Sequence, residues 1–371
     1  MNDQISTDVA IIGAGIAGAG LAAELAGDFN VMLIERENRP GYHSTGRSAA
    51  TFIQNYGNSV IRSLNRASRP LFEAADPMLF PDPLLKRRGT LTVADADSLA
   101  ALETQLKQSE GLRQISLDEA CSLVPLLRRD RLVAAAYEDD AQDIDVAALH
   151  QGWLKKAKAN GAKLLTDAEL VDARRVSGRW VLETRAGTVD AGILVDAAGA
   201  WADLVAKACG VAPLAIQPLR RTIAVLPVPD GHDVSRWPLV DDAAERWYMK
   251  PETGRLLVSP ADEDPVEPHD AFVDDMVLAV GLDRFEQAID MPVTRVETRW
   301  AGLRSFAPDR TPVAGFDSTA EGFFWLAGQG GYGIQTSPAL SRLAGQLIRR
   351  ASAPDGLAAV VPALSPDRFR T

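Results

Sequence analysis

Cysteine is almost absent: Cys121 and Cys209 are the only two in 371 residues, too few for a disulfide framework or a thiolate metal site. They read as free thiols of the kind a reducing cytoplasm keeps. Histidine is equally sparse, and His43, His150, His232 and His269 show no ligand spacing, so no bound metal is expected. No stretch reaches the roughly 20 apolar residues of a membrane helix. The uncharged run over 9–23 is short, interrupted by glycines and closed by Glu24. The opening residues lack the basic segment of a signal peptide, which points to a cytoplasmic protein with no integral membrane segment. Basic charge is also in deficit. A net charge of −11 argues against nucleic acid or an anionic membrane as partner.

What the chain does have is size and an ordered pattern. Its length suits two domains, and 46% hydrophobic with 24% charged residues is ordinary for a globular protein. The organising stretch is 8–36. An apolar run from Val9 to Ile12 bends at Gly13, an Ala/Leu-rich helical pattern reaches about Ala26, and a second apolar run from Val31 to Ile34 ends at Glu35. Gly13, Gly15 and Gly18 make G-x-G-x-x-G between strand and helix, with Ala17 inside the motif. That spacing gives a tight turn, backbone access to a pyrophosphate and close helix–strand packing. The helix start offers N–H groups and a positive dipole end to phosphates. Glu35 stands where a carboxylate accepts bonds from ribose hydroxyls.

Downstream, a polar loop over 39–51 leads to a helical pattern over 59–75 and a proline-rich passage from Pro77 to Pro83. Strands are predicted over 89–93 and 132–137, with helices over 96–108 and 117–122 between them. A helix over 146–160 precedes short strands at 163–165, 171–176 and 180–184. A second strand–glycine–helix passage covers 192–203, turning at Gly199. Residues 215–300 read as β-rich, with turns at 229–231 and 252–254 and one helix over 274–289. The tail repeats the pattern, with a strand from Phe323, glycines, and a helix over 337–349. Three such passages at start, middle and end predict an α/β plus α+β architecture. A Rossmann-like nucleotide-binding domain would be assembled from 1–82, 140–210 and 301–371, with a β-rich substrate domain from 83–139 and 211–300. No solenoid repeat or low-complexity segment is present.

Six motifs together resemble the FAD-dependent D-amino acid oxidase family, and within it the bacterial D-arginine dehydrogenase branch. They are Ile11-Ile-Gly-Ala-Gly-Ile-Ala-Gly18, Leu33-Ile-Glu-Arg36, Pro40-Gly-Tyr-His-Ser-Thr-Gly-Arg-Ser-Ala-Ala50, Val195-Asp-Ala-Ala-Gly-Ala-Trp201, Trp300-Ala-Gly-Leu-Arg-Ser-Phe306 and Gly328-Gln-Gly-Gly-Tyr-Gly-Ile-Gln-Thr336. The resemblance implies non-covalent FAD, its ADP half on the first motif and its flavin reaching toward the 44–51 loop. Ser44, Thr45, Gly46, Arg47, Ser48, Ala49, Ala50 and Thr51 match positions that line the cofactor. Glu35 and Arg36 match the ribose and adenine end, and Val171 a backbone contact to adenine. Gly330, Gly331, Tyr332, Gly333, Ile334 and Gln335 match the flavin end, where the following helix presents its positive terminus to the ring.

For the substrate, the resemblance implies that Arg221 and Arg304, with Tyr248 and Tyr56, bind an α-carboxylate, a geometry that suits a guanidinium fork. Thr51, Gly331 and Gln335 complete the implied catalytic set. Thr51 replaces a histidine and Thr90 a side-chain-binding glutamate of D-arginine dehydrogenases. The implied reaction is oxidation of a D-amino acid by hydride transfer from Cα to flavin N5, followed by hydrolysis of the imino acid to 2-oxo acid and ammonia. No residue matches a general base. With Lys86, Arg87 and Arg88 just before Thr90, neutral or apolar side chains are expected over cationic ones, Glu245 being the alternative acid. N-methyl amino acids and 2-hydroxy acids are the alternative substrates, and a non-catalytic dinucleotide-binding protein the alternative function. The electron acceptor stays open among quinone, electron carrier and oxygen.

Overall fold

The computed structural model describes residues 5–229 and 231–370. The turn expected over 229–231 includes Asp230, which lies outside them. The strand Ile5–Ile12 is buried from Val9 onward because it runs through the middle of a sheet. On one side it pairs in parallel with Val31–Ile34 and then Lys163–Leu165; on the other it pairs in parallel with Gly187–Asp196. The end of Gly187–Asp196 pairs in parallel with Phe323–Ala327, while its start turns antiparallel onto Arg179–Thr184 and Leu170–Val176. The three strand–glycine–helix passages therefore lie side by side, all leaving the sheet at one edge.

The helices Ile16–Leu25 and Gly333–Ile348 pack on one face of this sheet through Leu21, Ala22, Leu25, Leu340 and Leu343. Trp180, Phe323 and Trp325 fill the other. The last helix begins at Gly333, four residues before the expected 337, although Pro338 lies inside it. Proline has no N–H to continue the ladder. The Ser337 hydroxyl donates to the Ile334 carbonyl at 2.6 Å instead, so that oxygen is satisfied.

A second, mixed sheet runs in the order Asp264–Pro265, Gln217–Leu226, Arg255–Ser259, Tyr248–Glu252, Leu239–Asp242, Thr90–Ala94, Ala134–Glu138 and Arg113–Ile115. Thr298–Phe306 joins it by pairing along Gln217–Val225, so the boundary expected at residue 301 falls inside a strand. Side chains alternate across this sheet. Leu91, Val93, Val240, Met249 and Val258 enter an apolar core with Phe285 of the helix Asp275–Ala288. Thr90, Thr92, Asp241 and Tyr248 face the first sheet. A small sheet of Thr51–Phe52, Gln142–Ile144 and Leu85–Arg87 lies between the two. Cys121 and Cys209 are both free. No helix among the described residues is long and apolar enough to cross a membrane.

Candidate active site

One continuous cavity of about 660 Å³ runs from the first glycine motif to the inner face of the second sheet. At the first end, Gly13, Gly15 and Ala17 line it. Gly18 does not. A Cβ on Gly18 would sit 1.9 Å from the Gly13 carbonyl oxygen, so its role is to let helix and turn touch. Glu35 is buried beneath the turn, its two oxygens accepting from Ala14 N–H at 2.9 Å and Glu37 N–H at 3.0 Å. Each keeps lone-pair capacity for a ribose hydroxyl. Arg36 stacks over Trp201 at 4.8 Å and meets Glu37 and Glu169 at 3.2 and 3.7 Å. Val171, expected here, is exposed and away from the cavity; a bulge at this point brings Leu170 to the wall instead.

The 44–51 loop forms one side. Ser48, Ala49 and Ala50 line it, and Thr45 Oγ1 accepts the Ile16 N–H at 2.9 Å, capping the first helix across the cavity wall. Ser44 donates to the Leu303 carbonyl at 2.7 Å. Gly46 does not line the cavity; its N–H closes a turn on the Gly41 carbonyl. Arg47 also lines it. Its guanidinium pairs with Asp270 and donates to the carbonyls of Ala271 and Ala301, so it fastens the loop to the second sheet.

Arg221 and Arg304 lie on the paired strands Gln217–Leu226 and Thr298–Phe306. The register sets Arg221 opposite Gly302, which makes Arg304 its diagonal neighbour on the same face. They are not equivalent. Arg221 already donates to the Asp262 carbonyl at 2.8 Å and to Glu263 at 3.1 Å. Arg304 has no carboxylate partner among the described residues; its one polar contact is Tyr56 Oη, at a long 3.5 Å. A Cβ on Gly331 would lie 2.9 Å from Arg304 Nη1, so this glycine makes room for the guanidinium. Tyr248 lies 6.0 Å from the Arg221 guanidinium, and the Tyr56 and Tyr332 rings meet edge-on at 4.8 Å. Burial pushes the Tyr56 phenol up while Arg304 pulls it down, and burial also raises Tyr332. Both stay protonated donors at neutral pH.

Beside them Gly330, Gly333 and Ile334 line the cavity, at the start of a helix whose N-cap Tyr332 gives no side-chain cap. Gln335, expected to be catalytic, also lines the cavity, with its amide held by hydrogen bonds. Its oxygen accepts the Ile53 N–H at 3.1 Å and its amide donates to Asn65 at 3.0 Å. Gln335→Ala is therefore expected to cost about 1–3 kcal/mol of stability, as buried partners are left unpaired. Denaturant unfolding checks this. An unchanged midpoint with lost turnover would return Gln335 to the chemistry.

The hydroxyls of Thr51 and Thr90 are buried on the cavity wall without hydrogen-bond partners. The expected basic surroundings of Thr90 are corrected: Lys86, Arg87 and Arg88 do not line the cavity. Arg87 pairs with Asp139 and Arg88, just past the strand Leu85–Arg87, with Asp143, because that strand pairs with Gln142–Ile144. Glu138, Asp241 and Glu245 line it as well as Glu35 and Glu169, Glu245 on a turn at φ 55°. Glu138 and Asp241 escaped the sequence reading; each lies at or next to the end of its strand, where an acid gives no sign of facing a cavity.

Residues 8–347 match the family described as FAD dependent oxidoreductase. Glycine oxidase of Geobacillus kaustophilus is 26% identical over 363 residues, covering 92% of this chain and 93% of the relative. The solved glycine oxidase from Geobacillus kaustophilus superposes with a TM-score of 0.85 at 25% identity, covering 98% of this chain and 99% of that one. Mitochondrial dimethylglycine dehydrogenase of Rattus norvegicus is 24% identical over 353 residues, covering 88% of this chain and 41% of the relative. These likenesses do not single out the D-arginine dehydrogenase branch.

Proposed function

The chain belongs to the FAD-dependent oxidoreductase family, and from that premise we propose that it oxidises the Cα–N bond of an α-amino acid of D configuration. The imine formed is hydrolysed by water to a 2-oxo acid and ammonia. The observation that carries this reading is Arg304: a guanidinium without a carboxylate, beside Tyr56 and Arg221, in the same cavity as the glycine motif. A bound α-carboxylate supplies the missing partner, and a fork of two N–H groups fixes its orientation.

On this reading the first sheet with the 44–51 loop holds the cofactor, and the inner face of the second sheet holds the substrate. Gly13, Gly15 and Ala17 take the pyrophosphate, Glu35 and Arg36 the ribose and adenine, and Gly330, Gly331 and Gly333 allow close backbone approach at the other end. FAD supplies the two-electron acceptor. Arg304 and Arg221 hold the carboxylate, while the Tyr56 and Tyr332 phenols donate hydrogen bonds and accept no proton. The substrate is taken as the free amine, or loses its proton through water.

A second reading, oxidation of an N-methyl amino acid, is supported by the likeness to dimethylglycine dehydrogenase. The same carboxylate clamp would serve it. Anaerobic bleaching of the flavin absorbance by D-amino acids, L-amino acids, N-methyl amino acids and 2-hydroxy acids separates these readings. Bleaching by D-amino acids alone is expected; bleaching by N-methyl or hydroxy acids alone would overturn the proposal. The protein is expected to purify yellow, with its FAD released by denaturation. Colour retained by the precipitated chain would contradict non-covalent binding.

A further inference from the structure

Between the strand Thr51–Phe52 and the helix Ser59–Glu73 the chain belongs to no helix or strand, yet this stretch carries Tyr56. Side chains give it its shape. Gly57 turns at φ 87°, and its carbonyl accepts from Arg62 Nε at 2.9 Å. The Asn55 side chain donates to the Glu110 carbonyl at 2.7 Å and accepts the Glu110 N–H at 3.1 Å. The Tyr56 N–H closes a turn on the Ile53 carbonyl at 3.2 Å.

The remaining bonds converge on Asn65. It is a fully buried amide on the inward face of Ser59–Glu73, among Ile61, Leu64, Ser68 and Phe72. Such an amide is costly to bury without partners. Asn65 Nδ2 donates to the carbonyls of Ile53, Gln54 and Tyr56 at 3.3, 3.3 and 3.2 Å, so its hydrogens are shared among three oxygens. Oδ1 accepts from Gln335 Nε2 at 3.0 Å, and Gln335 Oε1 accepts the Ile53 N–H at 3.1 Å. The bonds close a circuit from Ile53 to Gln335, to Asn65 and back to Ile53. Each amide has one orientation in it, because reversing Asn65 would set its oxygen against three carbonyls. Gln335 lies in the first turn of Gly333–Ile348, next to the cavity-lining Gly330, Gly331 and Tyr332. Asn65 itself does not line the cavity.

We propose that Asn65 is a positioning residue for the substrate carboxylate, acting through Tyr56. The Tyr56 hydroxyl lies 3.5 Å from Arg304 Nη1, and its ring meets Tyr332 edge-on at 4.8 Å. The bond from Asn65 to the Tyr56 carbonyl fixes the backbone from which that phenol projects, and the bonds to residues 53 and 54 fix the turn before it. The phenol is thereby aimed before the carboxylate arrives, and no ordering is left to the binding step. Without Asn65 the stretch has no regular structure to fall back on, and the donor loses its aim. A misplacement of about 1 Å in such a site costs up to about 100-fold. The role rests on the carboxylate binding proposed above and adds to it a residue that touches neither substrate nor cofactor.

The test is a double-mutant cycle on the FAD-loaded protein with 2-methylalanine as the probe. That amino acid keeps the carboxylate and amine but has no Cα–H, so it binds without giving up a hydride. Its Kd, read from the perturbation of the flavin absorbance, reports positioning apart from chemistry. Tyr56→Phe should weaken it about tenfold, as one hydrogen bond to a charged group is lost. Asn65→Ala should weaken it about fivefold, and the double variant about tenfold rather than about fiftyfold, because a phenol that is absent cannot be misplaced. Additive effects would overturn the role, and so would native binding in a folded Asn65→Ala protein, whatever its thermal midpoint. Should Asn65→Ala not retain flavin, Asn65→Ser, whose hydroxyl serves one of the carbonyls, carries the same cycle. Loss of the flavoprotein in both would make Asn65 a folding residue and overturn the proposal. If 2-methylalanine binds but no amino acid reduces the flavin, the reaction falls and the cycle still decides the positioning. A native protein that does not bind 2-methylalanine would overturn the carboxylate clamp and the positioning together.

Discussion

Arg304→Ala should lower kcat/KM for the amino acid substrate by about two to four orders of magnitude and leave FAD content near that of the native protein. The size follows from its isolation. Removing one partner of a buried ion pair costs about 3–5 kcal/mol, because the other charge stays buried and unpaired, and each 1.36 kcal/mol is about tenfold in rate. Arg221→Ala should cost less. Arg221 already shares Glu263 with Arg310 and donates to the Asp262 carbonyl, so the remaining residues can rearrange around its loss. Steady-state kinetics on the two variants, with flavin content measured beside them, gives the order. A larger loss in Arg221→Ala would exchange their roles, and native kcat/KM in Arg304→Ala would remove it from the site.

Gly18→Val should abolish the folded flavoprotein rather than weaken it. The first added carbon would fall 1.9 Å from the Gly13 carbonyl oxygen and 3.2 Å from Ile11 Cγ2. The oxygen belongs to the backbone of the turn, which is itself wedged against Ala197, so neither side can yield without shifting the helix start. Overpacking a tight core costs about 1–3 kcal/mol and occasionally more. Here the displaced turn also lines the cofactor end of the cavity. The ratio of flavin to protein absorbance and the thermal midpoint should both collapse. A yellow Gly18→Val protein with a native midpoint would show that this contact is not required.

The first strand–helix–strand unit was legible because its information is local. Apolar runs of the right length, glycines at fixed offsets and a terminal acid occur within residues 8–36, and no distant contact is needed to read them. The same holds for the helices whose ends came out within a few residues, such as Val146–Ala159 and Asp275–Ala288. That Arg221 and Arg304 line the cavity was visible only through family motifs, since a lone arginine in a β-rich stretch carries no local sign of facing a cavity.

Two other expected site residues have side chains engaged by distant partners. Arg47 and Gln335 have side chains that suit a site, yet their polar atoms are consumed by Asp270 and by Ile53 with Asn65. Those partners are far away in sequence. Which polar group is satisfied and which is left open is a property of packing, and composition does not contain it.

The sequence by itself determined the dinucleotide turn, the three passages that build the first sheet, and the chemistry available at each position. Only the tertiary structure decided which of those groups meet. The parallel pairing of Leu239–Asp242 with Thr90–Ala94 joins segments that the intervening chain keeps far apart in sequence, and it turns Asp241 and Thr90 to one face. The pairing of Leu85–Arg87 with Gln142–Ile144 takes Arg87 and Arg88 to Asp139 and Asp143. A strand's side chains alternate with a period of two, so register alone assigns each residue to the core or to the cavity. Register is fixed by long-range pairing, and so the sign of the charge around Thr90 was settled by the fold and not by its neighbours in the chain.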